Sequence, residues 1–216
     1  MSTLNITNEE ELIKIITKLV IEALSNKNLV IPIGVSNRHV HLCRSDMDLL
    51  FGTDSQLTKM KALKQPGQFA AEEVVTLMGP KGQIEKVRVL GPLREQTQIE
   101  ISLSDTYVLG VKAPIRESGK LEGTPGIEMI GPKGGIIKSQ GTIVASRHIH
   151  MPPNIALKLG LKDGELVDVE LGKERGAVLK NVLLRISDKD ALEMHIDMDE
   201  ANAVNVKNNE SVRIIK

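Results

Sequence analysis

Apolar positions near the start of the chain recur with a helical period. Leu12, Ile15, Ile16, Leu19, Val20, Ala23 and Leu24 stand at i, i+3, i+4, i+7 and i+8, which puts one apolar stripe on a helix over residues 8–25. Thr7 with Glu10, or Asn8 with Glu11, supplies a capping pair at its start. Ser25-Asn26-Lys27-Asn28 follows as a polar linker. Beyond it the pattern becomes β-like. Short β-prone runs span Leu29 to Leu42, Glu73 to Met78, Ile84 to Leu90, Thr97 to Leu103 and Thr106 to Val111. Others span Glu165 to Leu171, Ala177 to Ile186 and Ser211 to Ile215. Turn residues separate them, most clearly Gly79-Pro80-Lys81-Gly82 and Gly131-Pro132-Lys133-Gly134. Short helices are predicted at residues 45–51 and 153–159, with Ser45 and Pro153 as their starters. Many short strands with Gly/Pro turns predict a mainly-β sandwich or barrel.

Two of the β-like runs carry the same motif. Ser36-Asn37-Arg38-His39-Val40-His41-Leu42 and Ser146-Arg147-His148-Ile149-His150-Met151 both read Arg-His-apolar-His, and they hold four of the five histidines. On a strand, residues i and i+2 share a face, so each copy projects a pair of imidazoles while Val40 or Ile149 turns toward the core. Imidazole pairs suit zinc and its neighbours. Four ordinary histidines with matching flanks would be a coincidence of Arg, two His and the alternation together, so a duplicated metal half-site is the stronger reading. Each pair needs further donors. His195, the remaining histidine, is the candidate for one. A carboxylate is needed for the other, and Glu100, Glu72, Glu73 and Asp105 all compete. The motif spacing and the Gly-Pro-Lys-Gly spacing differ, so the chain is not a simple tandem duplication.

Composition removes several classes of function. Acidic and basic residues balance at 28 each, which suggests neither a nucleic-acid partner nor an anionic membrane surface. One tyrosine, two phenylalanines and no tryptophan are too few for a base-stacking platform. A single cysteine, Cys43, excludes an intrachain disulfide. No run approaches the roughly 18 apolar residues of a membrane span, and no secretory leader is evident, so a cytoplasmic setting is expected. Gly134-Gly135-Ile136-Ile137-Lys138-Ser139 lacks the Gly-Lys-Ser/Thr spacing of a P-loop, and its glycines are read as turns.

The two His motifs resemble those of the phosphotransacylases of bacterial microcompartments, the type that serves propanediol utilisation. So do Gln68-Phe69-Ala70-Ala71-Glu72-Glu73, Val89-Leu90-Gly91-Pro92, Arg94, Gln98-Ile99-Glu100-Ile101-Ser102, His195 and Asn202. The resemblance runs from about Val30 to the C-terminus. It implies two small intertwined β-barrels with short capping helices, residues 28–37 joining 146–216 in one and residues 38–145 forming the other. Residues 1–27 would be an N-terminal amphipathic helix and linker. It further implies two zinc ions per chain, one on His39, His41 and Glu100, the other on His148, His150 and His195. Arg94 matches the family's phosphate-binding arginine, and Ser36, Lys61, Arg88 and Asn202 match its coenzyme A contacts. Cys43 stands where serine is expected, a thiol close to the first metal site.

The implied reaction converts an acyl-CoA, propanoyl-CoA or a similar short chain, and phosphate into acyl phosphate and CoA. Zinc would favour the departing thiolate and, with Arg94, neutralise phosphate. Two rivals share the metal motif: a dinuclear zinc hydrolase and a non-catalytic metal-binding scaffold protein. In microcompartment enzymes an amphipathic tail docks on shell proteins, so residues 8–25 are expected either to be such a tag or to pack on the barrel or on a homodimer partner. Acetyl and propanoyl differ by one methylene, which a pocket separates by only about 1–3 kcal/mol.

Overall fold

The computed structural model describes residues 11–17 and 29–215. Residues 11–17 are helical (α1), with Ile13, Ile15 and Ile16 exposed. The rest of the helix expected over residues 8–25 lies outside the described residues.

Two sheets build the body. The first is a closed six-stranded barrel in the order β1 (Ile31–Ser36), β14 (Glu193–Asp197), β11 (His148–Met151), β13 (Ala177–Ile186), β12 (Leu166–Leu171) and β15 (Ser211–Ile215). β1 lies parallel to β14 and antiparallel to β15, which sews the first strand into the C-terminal part of the chain. Alternation along β1 sends Ile31 and Ile33 into a core shared with Ile149, Leu184, Met194 and Ile196. The second sheet runs β7 (Ile115–Arg116), β10 (Thr142–Ala145), β6 (Gln98–Glu100), β2 (His39–His41), β5 (Gln83–Gly91), β4 (Phe69–Met78), β8 (Glu128–Ile130) and β9 (Gly135–Ile137), with β3 (Lys59–Ala62) on β4. It curls over Val40, Leu77, Val89, Ile99 and Met129 as a half-barrel. Its edge strands β7 and β9 are only two and three residues long, and the sheet stays open between them.

Both Gly-Pro-Lys-Gly sequences close hairpins and dock on helix ends. Gly79 N–H donates to Gly82 O at 2.9 Å and Gly131 N–H to Gly134 O at 2.8 Å. The next backbone donors, Lys81 N–H and Lys133 N–H, reach Leu109 O and Leu50 O at 3.1 and 3.0 Å. These carbonyls lie near the C-termini of α3 (Leu103–Leu109) and α2 (Arg44–Phe51). A Cβ on Gly79 would stand 2.2 Å from Leu109 O and one on Gly131 2.5 Å from Leu50 O, so this approach requires glycine.

One expected strand is a helix. Residues 106–111 are β-prone, yet residues 103–109 form α3. Ser102 Oγ accepts from Asp105 N–H and Asp105 Oδ2 accepts from Ser102 N–H, a reciprocal capping box. Gly110 in the left-handed region ends the helix. Local capping overrides β-propensity here. Asp197 and Glu200 start α5 (Met198–Val204) in the same way. Pro153 opens α4 (Pro153–Leu159), as expected, whereas α2 begins at Arg44 with Cys43, not Ser45, as its N-terminal flank.

Candidate active site

The two His motifs occupy equivalent places. β2 pairs antiparallel with β6 so that His39 faces Glu100, and β11 pairs antiparallel with β14 so that His148 faces His195. In both, the intervening Val40 or Ile149 is fully buried in a core. The third donor therefore stands opposite the first histidine of each motif. The motif arginines explain themselves in the same frame. Arg38 grips Asp105 through Nε and a terminal nitrogen, both at 2.8 Å, and Arg147 Nε meets Glu200 at 2.7 Å. Those acids are the capping acids of α3 and α5, so each arginine ties a His strand to the helix that follows the third donor. A second repeat is thereby visible. Ile99-Glu100-Ile101-Ser102 with Asp105 matches Met194-His195-Ile196-Asp197 with Glu200.

In the first triad, His39 Nδ1 is 2.8 Å from Asn37 O, which makes Nδ1 the donor and leaves Nε2 facing Glu100 at 3.5 Å. His41 Nε2 is 3.7 Å from the same carboxylate. Gln98 donates to Glu100 and to Ser118 Oγ, and Gly119 N–H holds the Gln98 carbonyl oxygen at 2.7 Å. Burial pulls the His39 pKa down, but the charge and hydrogen bond of Glu100 overcome it and raise the pKa. Burial and then the charge of His39 push His41 well below the usual histidine value. Burial opposes the charge on Glu100, yet both histidines and Arg94 hold its pKa well below the carboxylate range.

The second triad supplies the test for a metal. His148 Nδ1 lies 2.9 Å from Ser146 O, and His150 Nδ1 lies 2.7 Å from Asp190 Oδ2. With both Nδ1 atoms donating, the neutral rings present lone pairs at Nε2, and these two atoms are 3.2 Å apart. Burial, followed by the charge of His195, lowers His148 to about 3, so a proton is a poor occupant between them. A tetrahedral zinc with bonds of about 2.0–2.1 Å would hold two nitrogens about 3.3 Å apart. The residues fit the ion. His195 completes the group, and all three donors lie within 4.8 Å of one another, as do those of the first triad. Carboxylates behind His150 (Asp190) and His195 (Glu193, 2.8 Å from Nε2) orient the rings.

Arg94 reaches the first triad from a turn. Its N–H donates to Leu42 O at 2.9 Å, its guanidinium to Ser118 Oγ at 3.2 Å, and Ser118 Oγ stands 3.4 Å from Glu100. Burial lowers its pKa, the charge of Glu100 opposes that, and Arg185 adds to the lowering.

These observations meet the comparisons with known proteins. A sequence model described as phosphate propanoyltransferase matches residues 32–207. The chain belongs to the phosphate propanoyltransferase family. It is 58% identical to the phosphate propanoyltransferase of Rhodopseudomonas palustris (strain BisB18), over 86% of this chain and 82% of that one. Against the Thermotoga maritima enzyme of that name the identity is 52%, over 89% and 92% of the two chains. Against the Salmonella typhimurium enzyme it is 47%, over 93% and 94%. Membership makes the chain a phosphotransacylase.

The remaining expected residues of this family member lie on several elements. Ser36 ends β1 beside the first motif, paired with Asp197. Arg88 is the strand partner of His39, but its guanidinium donates to Ala71 O and Glu72 O at 3.1 and 2.9 Å. Lys61 on β3 and Asn202 on α5 are exposed. Cys43 is also outside the first triad: its sulfur lies 3.2 Å from Ser45 Oγ and its N–H donates to Thr97 Oγ1. Sequence reading missed Gln98, Ser118, Asp190, Glu193 and Arg185. Gln98 and Glu193 each precede the third donor by two residues, a signal within the second repeat.

Proposed function

We propose that the protein transfers a short acyl group, propanoyl by analogy with its relatives' names, between CoA and phosphate, using two zinc ions. His39, His41 and Glu100 would hold one ion, and His148, His150 and His195 the other. The observation that carries this reading is the pair of converging donor triads, with lone pairs facing at 3.2 Å in one and Arg94 one hydroxyl away from the other.

Phosphate is already an anionic nucleophile, so no Ser-His-Asp apparatus is required. A phosphate oxygen attacks the thioester carbonyl carbon, the C–S bond breaks, and CoA leaves as the thiolate while acyl phosphate forms. The guanidinium of Arg94 matches phosphate geometry and orients the attacking oxygen. Zinc, when bound, supplies Lewis-acid stabilisation of the thiolate and of phosphate charge. Gln98 and Ser118 hold Glu100 in place, and Asp190 and Glu193 hold His150 and His195. Orienting two substrates for attack can contribute up to about 7–11 kcal/mol in favourable cases. Ser36, Lys61, Arg88 and Asn202 remain the proposed CoA contacts.

A thiol-release assay decides among the candidates. Release of CoA from propanoyl-CoA that requires phosphate and yields acyl phosphate supports the transferase. Phosphate-independent release identifies a hydrolase, and no release with either leaves a metal-binding scaffold.

The proposal extends to the N-terminus. Ile13, Ile15 and Ile16 are exposed on α1, which suits docking in a groove of a microcompartment shell protein. The proposed location is therefore cytoplasmic, inside a bacterial microcompartment. Among the described residues, no helix is long and apolar enough to cross a membrane. Starting the chain at Asn28 is expected to preserve turnover and abolish co-purification with shell proteins. A homodimer held by this helix would instead change oligomeric state on truncation, and unfolding would show that the helix belongs to the core.

A further inference from the structure

Arg185 is a cation without an assigned task. It lies on β13 as the strand partner of His150, and Leu183 two residues earlier is the partner of His148. Partners across a ladder share a face, so Arg185 stands on the same side as the His pair, opposite the fully buried Leu184. It is half-buried, and among the described residues its guanidinium makes no hydrogen bond or ion pair. The nearby carboxylate is committed elsewhere: Asp190 Oδ2 accepts from His150 Nδ1 at 2.7 Å, while Glu117 pairs with Lys120 at 2.6 Å. Arg185, Asp190, Glu117 and Lys120 line one cavity of about 510 Å³, with walls from both sheets' parts of the chain.

The pseudo-equivalent position in the other half is informative. Extending the pairs His39–Arg88 and Val40–Val89 by one residue sets Leu90 against His41, so leucine stands where Arg185 stands beside the second triad. The arginine is thus an addition to one half-site and no requirement of the shared scaffold. Its charge is also felt at Arg94. Glu117 of that cavity is the chain neighbour of Ser118, the hydroxyl to which Arg94 donates, so the two guanidinium groups serve one region from different parts of the chain, where a multivalent anion would relieve their mutual repulsion.

Resting on the transferase reading above, we propose that Arg185 is a phosphate-binding residue, the second arm of a clamp whose first arm is Arg94. The anion is inorganic phosphate in one direction and the phosphoryl end of acyl phosphate in the other. Its position beside the second triad means that the clamp spans both half-sites.

The test uses full-length metal-loaded protein with Arg185→Gln and Arg185→Lys. Phosphate is varied at saturating propanoyl-CoA, then propanoyl-CoA at saturating phosphate. Loss of a charge-assisted contact is expected to raise the phosphate KM of the Gln variant about tenfold or more, with the KM for propanoyl-CoA nearly unchanged and partial recovery with Lys. Metal content should match the parent protein. The increase in melting temperature that phosphate gives the parent should shrink in the Gln variant, a readout independent of turnover. Unchanged phosphate KM and unchanged phosphate-induced stabilisation would overturn the clamp. So would a rise confined to the propanoyl-CoA KM, which would assign Arg185 to the phosphates of CoA. Should the parent release thiol without phosphate, the transferase reading fails, while the melting shift still reports whether Arg185 binds the anion.

Discussion

Replacing Arg94 with alanine is expected to lower kcat/KM for phosphate by about 10²–10³-fold, the scale seen when one preorganised donor to a developing charge is removed. Three observations converge on this residue. Its backbone is pinned to Leu42 O, directly after the first His pair, and its side chain shares Ser118 Oγ with the network that holds Glu100. The Glu100 charge offsets part of the burial that disfavours the guanidinium charge, so the arginine stays protonated beside the site. A guanidinium offers no lone pair to a metal ion, so both metals should remain in the alanine variant. Coenzyme A binding should also remain. Arg94→Lys should recover only part of the rate, because an ammonium keeps the charge but lacks the planar fork. Steady-state kinetics at varied phosphate, with metal analysis of the same samples, check both statements. An alanine variant with the parent's phosphate dependence and turnover would rule out the role.

Arg94 also shows what the sequence conveys and where it stops. Its even spacing from Glu100 suggests a common strand face, but β6 starts at Gln98 and Arg94 sits in the preceding loop. The two residues meet through the docking of that loop on Leu42, a long-range contact no local period encodes. The Arg-His-x-His copies are legible because strand alternation is local: one glance at the period puts both imidazoles on one face. Glu100 is harder, since four carboxylates compete until the register of β6 on β2 selects the one opposite His39. The positioning carboxylate Asp190 lies in a loop distant in sequence from His150, and nothing local marks it. Helix α3 illustrates a different failure, in which Thr106-Tyr107-Val108 favour a strand but the Ser102–Asp105 box caps a helix there. The incomplete closure of the second sheet was likewise invisible, because it depends on how short the edge strands become when their ends are drawn into turns.

The purified protein is expected to carry two metal ions per chain, zinc being the best match to the donors, in sites that empty independently. His39→Ala should leave close to one equivalent, and His148→Ala should do the same by emptying the other site, each with near-complete loss of acyl transfer. The independence follows from the topology. One triad rests on β2 and β6 in the open sheet and the other on β11 and β14 in the closed barrel, so neither strand pair sets the geometry of the other. Within the second site the expected ranking of mutants is informative. His148→Ala removes a ligand, whereas Asp190→Asn leaves all three imidazoles and alters only the partner that fixes the His150 ring, for which a loss of about 10–100-fold in metal affinity is typical. Glu193→Gln should act similarly through His195, and Gln65, which donates to Glu193 at 3.2 Å, should limit the disturbance by holding the new side chain. Metal analysis after dialysis against graded chelator, with activity measured in parallel, resolves the two sites. A fully active preparation holding no more than one equivalent would sink the two-site arrangement, and with it the division of labour between the thiolate and the phosphate.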